Sequence, residues 1–409
     1  MEKSSKVKSV KGGVCTARGF RAAGVPAAIK YEGRNDVALV VADRPCAAAA
    51  VFTTNKVAAA PVVYDREIVK GGRVQAILAN SGCANACTGE AGLRDAKLAA
   101  LTTAGELGID PRHVLVASTG VIGRRLPMDR LLAGMKAAAK ALGRTAEHGL
   151  AAEKAVMTTD TKPKQACVRT VIGGVPVTVG GMSKGSGMIE PNMATMLGFI
   201  TTDAAVTPAM LRRALKLAIA KSFNRVVVDG DESTNDSVFL LASGAAGNAV
   251  IERAGADFDA FVEALTAVAV SLARQMAKDG EGATKFVTVT VRGARSEREA
   301  ERAARAVAKS PLAKTSWFGR DPNWGRVLAA VGYSGADVVD MKAEVFYDRV
   351  WAFRRGEVAD EAQLGKLAKV LAKDEFEVVV DLHLGNASSS VYTCDFSLDY
   401  VHINADYTT

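Results

Sequence analysis

Residues 180–196 read GGMSKGSGMIEPNMATM, from Gly180 to Met196. The stretch is rich in glycine and holds one lysine, Lys184, which invites comparison with a phosphate loop. It fails that comparison, because no Gly-Lys pair followed by Ser or Thr stands four residues after a glycine. It also leads through Pro191 into a strand-like run, Thr195–Thr202, whereas a nucleotide fold places such a motif between a strand and a helix. A second glycine-rich run, Lys278–Lys285, lacks the six-position dinucleotide pattern as well. The pair Ala194-Thr195 points to different chemistry. A threonine hydroxyl is a poor nucleophile unless a base sits beside it, and a threonine at a chain's N-terminus can use its own α-amine. That amine has a pKa of about 7.7–8.0, close to working pH. Within a chain the amine has to be freed by cutting before the threonine. Small Ala194, in a Gly/Pro/Asn-rich segment, leaves room for Thr195 to attack the preceding carbonyl. Ala-Thr pairs are common in proteins, so these two residues alone do not mark a cleavage site.

Outward from this stretch, strand and helix signals alternate without repeats. Apolar runs at Asp36–Asp43, Val74–Leu78 and His113–Ala117 predict strands, and Leu93–Leu107, Arg130–Leu142 and Leu150–Met157 predict helices. Cys167–Ile172 and Val175–Val179 predict a hairpin around Gly173-Gly174. Thr207 followed by Pro208 predicts a helix start. A long helix over Phe258–Lys278 ends at Gly280, and Ser296 with Glu299 forms a capping box. Strands are expected at Phe286–Val291, Asp337–Phe346, Glu377–His383 and from Ser389 onward, with a helix near Glu361–Lys373. The pattern predicts a mixed α/β protein with helix-covered sheets and a lobe boundary near residue 280.

Composition narrows the function classes. The chain of 409 residues is 49% hydrophobic and 23% charged, which excludes a disordered protein. No apolar run reaches the length of a membrane-spanning helix. The net charge of +8 comes from scattered residues and short arginine pairs, so neither nucleic acid nor a membrane surface is expected as a partner. Only Cys83 and Cys87 lie close together among six cysteines, and no second pair or histidine cluster completes a zinc site. The expectation is buried thiols in a reducing compartment, and no metal. The segment Met1–Lys11 lacks the apolar core of a secretory signal, so a cytoplasmic location is expected.

Several separated motifs, taken in order, resemble the ornithine acetyltransferase family, also called glutamate N-acetyltransferase, of arginine biosynthesis. They include Gly19–Val25, Asn80-Ser81-Gly82, Ala84–Gly89, Ser118–Gly123, Lys184–Thr195, Asp229-Gly230-Asp231, Ser233–Asp236, Gly280–Lys285, Gly319–Arg326 and Ile403–Tyr407. The resemblance covers nearly the whole chain. Cys83, Glu232 and Thr408 depart from the family's pattern.

The resemblance implies an α-β-β-α layered sandwich of the self-processing N-terminal-threonine type, with a smaller C-terminal α/β lobe. It implies self-cleavage between Ala194 and Thr195, giving an α chain of residues 1–194 and a β chain of residues 195–409. Thr195 would then carry an acetyl group from N-acetylornithine to glutamate. The oxyanion hole maps to the Thr119 hydroxyl and the Gly120 N–H. Substrate contacts map to Thr158, Lys184, Thr195, Glu281, Asn404 and Thr409. No cofactor is implied, although acetyl-CoA could serve as a further acetyl donor. The cut chains would stay together, as α2β2 or larger. An amidohydrolase or aminopeptidase with the same kind of nucleophile is the alternative, with water in place of glutamate as acceptor.

Overall fold

The computed structural model describes residues 7–190 and 196–406. Ala194, Thr195 and Thr409 therefore lie outside the described residues. A nine-stranded sheet is built around one 16-residue strand, Val37–Phe52. Its first part pairs with Phe20–Val25 and its second part with Ser237–Ala242, both antiparallel. Arg73–Asn80 pairs with both parts across a register shift between Val41 and Cys46. The sequence reading ended this strand at Asp43. Pro45 interrupts the apolar run there, and the irregularity accommodates a residue with no amide donor. Beyond Ser237–Ala242 the sheet continues through Leu197–Thr202, Val175–Lys184, Lys164–Ile172 and Lys8–Ser9; beyond Arg73–Asn80 it ends at Val114–Ser118.

Burial shows how this sheet is layered. One core cluster joins Phe199, Phe239 and Leu241 from one half with Phe20, Val40, Ile77 and Leu115 from the other. The two halves pack on each other through these side chains, the helix Ala146–Val156 closing one side. The outward faces are covered by helices. Pro208–Ala220 and Ala256–Lys278 lie on one half, and Gly89–Leu107 and Met128–Lys140 on the other. The result is an α-β-β-α sandwich. Residues of the longest helix at i, i+3 and i+4 spacing, Phe258, Phe261, Leu265, Val268, Leu272 and Met276, form its buried stripe. Each such side chain contributes about 1.5–3 kcal/mol when fully buried.

The second sheet has seven strands, in the order Glu357–Val358, Val350–Arg354, Glu344–Tyr347, Glu375–Asp381, Phe286–Ala294, Ala387–Cys394 and Val226–Val227. Helices Glu297–Lys309, Pro311–Phe318, Trp324–Gly332 and Glu361–Leu371 pack on one face around Trp317, Val289 and Val391. The expected caps form: Ser296 accepts from the Glu299 N–H and Thr207 from the Met210 N–H.

Three expectations change. The strand expected over Asp337–Phe346 is confined to Glu344–Tyr347. The C-terminus does not continue as strand: Leu398–Asp406 is a helix. The β-prone residues Tyr400, Val401 and Ile403 hide a helical repeat, in which Tyr400 and Asn404 stand one turn apart and share one cavity. Not all cysteines are buried: Cys87 is exposed, in a positive-φ turn before the helix Gly89–Leu107, and Cys15 is intermediate. No helix among the described residues is long and apolar enough to cross a membrane.

Candidate active site

The ends of the sandwich strands gather around a cavity of about 150 Å³. Thr119 follows the strand Val114–Ser118, Lys184 ends Val175–Lys184, and Asp236 precedes Ser237–Ala242. Thr119, Gly120, Thr158, Lys184, Glu281 and Asn404 all line it. These are the sequence-assigned residues that fall within the described chain. Met196 and Leu197 line it as well, immediately after Thr195.

The loop carrying Thr119 and Gly120 is held by backbone bonds to a second loop. The Thr119 N–H donates to Asn80 O at 3.0 Å, and the Ala84 N–H donates to Val121 O at 3.0 Å. Asn235 Nδ2 donates to both Ala84 O and Ser118 O, at 2.6 and 2.8 Å. Gly120 has φ +130°, and a Cβ there would lie 2.6 Å from Cys83 N as well as against Gly82. Only glycine fits that close approach. Lys184 Nζ donates to Thr119 Oγ1 at 3.2 Å. With its oxygen accepting from a cation, the Thr119 hydroxyl can direct its own hydrogen toward an oxyanion.

Neither Lys184 nor Glu281 is a surface charge, since they are only 8% and 9% exposed. Burial lowers the Lys184 pKa, while Asp160, Asp236 and Glu281 act in the other direction. Burial pushes the Asp160 carboxyl up, but Lys164 and Lys184 outweigh it and hold the group at about 2. Glu281 is fixed at both ends. Its N–H donates to Ser186 O at 2.9 Å, and Asn404 Nδ2 donates to its carboxylate at 2.9 Å. Gly187 leaves the space this carboxylate occupies, because a Cβ there would collide with it. The cavity thus offers a cation with a hydroxyl on one wall and a carboxylate on another. That arrangement can bind a zwitterionic amino acid and stabilise a tetrahedral intermediate.

Other residues of the site carried no assigned role in the sequence. Asp229 accepts from the Met188 and Ile189 N–H groups at 2.6 and 2.8 Å. Glu190 pairs with Lys309 at 2.5 Å and with Arg305 at 3.6 Å. These contacts fix the chain just before Pro191. Asp236 is buried, which raises its carboxyl well above the usual range against the opposing effect of Ser233 and Lys184. Asp229, Ser233 and Asp236 stood within motifs that carried the resemblance, which was the available signal.

Behind the cavity, Glu153 is fully buried on the helix Ala146–Val156. Burial lifts its pKa to about 8, against the pull of Lys164. Below the ordinary glutamate pKa of about 4.3 the group is protonated in both folded and unfolded chains. As pH rises from there toward 8, the unfolded chain ionises and the folded chain does not, so stability falls. Glu153→Gln should remove that loss. Its thermal midpoint is expected above wild type at pH 8 and equal to it at pH 4; equal midpoints at both would refute an elevated Glu153.

Fold and cavity together define an α-β-β-α enzyme with a preorganised, ion-lined site. The chain belongs to the ArgJ family, whose sequence model matches residues 21–409. Among its relatives, the arginine biosynthesis bifunctional protein ArgJ of Symbiobacterium thermophilum is 53% identical, over 97% of this chain and 99% of that protein. The glutamate N-acetyltransferase of Methanosarcina mazei is 44% identical, over 98% and 100%. A crystal structure of arginine biosynthesis bifunctional protein ArgJ from Bacillus halodurans is similar with a TM-score of 0.50 and 39% identity. It covers 52% of this chain and 100% of that chain.

Proposed function

We propose that this protein cleaves itself between Ala194 and Thr195, and that the cleaved enzyme moves the acetyl group of N-acetylornithine to glutamate through an acetyl ester on Thr195. The observation that carries the reading is the convergence of Thr119, Gly120, Lys184 and Glu281 on one cavity bordered by Met196, the neighbour of Thr195. In cleavage, the Thr195 hydroxyl attacks the Ala194 carbonyl, the peptide C–N bond breaks, and water hydrolyses the resulting ester. This frees the Thr195 amine as a base. In transfer, that amine takes the hydroxyl proton as Oγ attacks the acetyl carbonyl, and returns it to the departing ornithine amine. Glutamate's amine then attacks the ester and leaves as N-acetylglutamate. Thr119 and Gly120 donate to the carbonyl oxygen in each tetrahedral intermediate.

Lys184 meets the substrate α-carboxylate, and Glu281 the δ-ammonium of ornithine. Thr158, Asn404 and the C-terminal Thr409 contribute further polar contacts. The two cut chains stay associated, as α2β2 or larger, in the cytoplasm. Acetyl-CoA enters the proposal as a second donor, and the bifunctional name of the S. thermophilum relative supports two activities.

Initial rates test the transfer. An acetyl-enzyme requires ornithine to leave before glutamate enters, so double-reciprocal plots at several glutamate concentrations should be parallel. Intersecting lines would indicate direct transfer. Acetate released equally fast with and without glutamate would indicate a hydrolase.

A further inference from the structure

Lys164 begins the strand Lys164–Ile172 and is 1% exposed. Its Nζ donates to Asp160 Oδ1 at 2.7 Å and to Asp279 Oδ2 at 2.5 Å. Both carboxylates are buried, and both stand behind the residues that line the cavity. Asp160 accepts from the Thr158 N–H at 3.0 Å and from the Gly185 N–H at 2.7 Å. It thereby holds Thr158 and the backbone immediately after Lys184. Asp279 accepts from the Thr161 N–H at 3.1 Å and from the Thr161 hydroxyl. It stands two residues before Glu281. A hydroxyl contact between Thr159 and Ser186, at 2.7 Å, closes the circuit, because Ser186 O accepts from the Glu281 N–H.

We propose that Lys164 is a positioning residue. By bridging Asp160 and Asp279, it fixes Thr158, Lys184 and Glu281 in one arrangement for binding an amino-acid substrate. This rests on the acetyltransferase reading for the identity of that substrate. Lys164 lies behind the cavity wall and acts only through the carboxylates it joins. Were it an ordinary buried ion-pair member, its loss would change stability without changing which substrate-binding parameter moves.

The charges around it give a signed test. Lys184 faces Asp160, Lys164, Asp236 and Glu281. Lys164 faces Asp160 and Asp279, and Glu153 approaches from the helix Ala146–Val156. Removing the Lys164 cation removes a repulsion on Lys184, which then keeps its proton to higher pH. Removing the Asp160 charge does the opposite.

The experiment compares Lys164→Met, Asp160→Asn and the charge-balanced double variant Lys164→Met/Asp160→Asn with wild type. Folding is checked by thermal unfolding and cleavage by intact mass. A misplacement of about 1 Å can cost about 10²-fold in an active site. KM for N-acetylornithine and for glutamate should therefore rise about tenfold or more in Lys164→Met, with a smaller fall in kcat. The alkaline limb of kcat/KM should move up in Lys164→Met and down in Asp160→Asn. If Lys164→Met does not fold, the double variant decides, with the same rise in KM expected. A folded Lys164→Met with wild-type KM and an unmoved alkaline limb, or a folded double variant with wild-type KM, overturns the proposal. Wild-type protein that transfers no acetyl group would refute the acetyltransferase reading instead. In that case, or for a variant that does not cleave, calorimetric binding of ornithine and glutamate still decides. Weakened binding in the folded variants supports the positioning role, and unchanged binding refutes it.

Discussion

Thr195→Ala is expected to yield a single uncut chain of residues 1–409 and to abolish acetyl transfer. The substitution removes the hydroxyl that attacks the Ala194 carbonyl, so neither the cut nor the acyl ester can form. Two losses with one origin make this the largest effect the account predicts. Electrophoresis under denaturing conditions separates one full-length species from two shorter chains. Acetyl transfer is read in the same samples as N-acetylglutamate formed. A Thr195→Ala protein that still cuts itself before residue 195, or that still transfers acetyl groups, would remove Thr195 from the mechanism.

Thr119→Ala is expected to lower the turnover number about 10- to 10²-fold with little change in KM. The Thr119 hydroxyl donates to charge that exists only in the transition state, so its loss should not weaken ground-state binding. A single oxyanion donor is worth about 2.7–4 kcal/mol, or 10²–10³-fold, and the retained Gly120 N–H offsets part of that. The structure adds a coupling between residues to which the sequence assigned separate tasks. Lys184 Nζ donates to Thr119 Oγ1, so the variant also takes an acceptor from a buried lysine. Cleavage has to be verified by mass first, because a processing defect would mimic lost catalysis. A cleaved Thr119→Ala enzyme with normal turnover and a changed KM would make Thr119 a binding or turn residue.

Local chemistry was readable where it is written within a few residues. Ser296 with Glu299 and Thr207 with Pro208 announced helix starts that the structure contains. Gly173-Gly174 marked the hairpin turn through the positive φ both residues adopt. Reading failed where tertiary context decides. The strand stopped at Asp43 on paper, short of Pro45, and only its pairing across a register shift shows that it continues to Phe52. The C-terminal helix escaped because its residues favour strands, and its register is set by what Tyr400 and Asn404 meet.

The site divides along the same line. Its residue types suited an amino-acid substrate, but naming them depended on resemblance to a family, since no periodicity brings Thr119 and Lys184 together across 65 residues. The Asp160–Lys164–Asp279 bridge was invisible for a related reason. Lys164 and Asp279 stand 115 residues apart, and each alone reads as an ordinary solvated charge.

The central claim is that Thr195, freed by self-cleavage, carries the acetyl group. An intact-mass spectrum of the purified protein, taken before and after brief exposure to N-acetylornithine without glutamate, tests it most directly. The account predicts two chains, residues 1–194 and 195–409, with one added acetyl group on the second chain alone. That group should disappear when glutamate is supplied. A single full-length species that is fully active, or a second chain that never gains the acetyl mass during turnover, would contradict it.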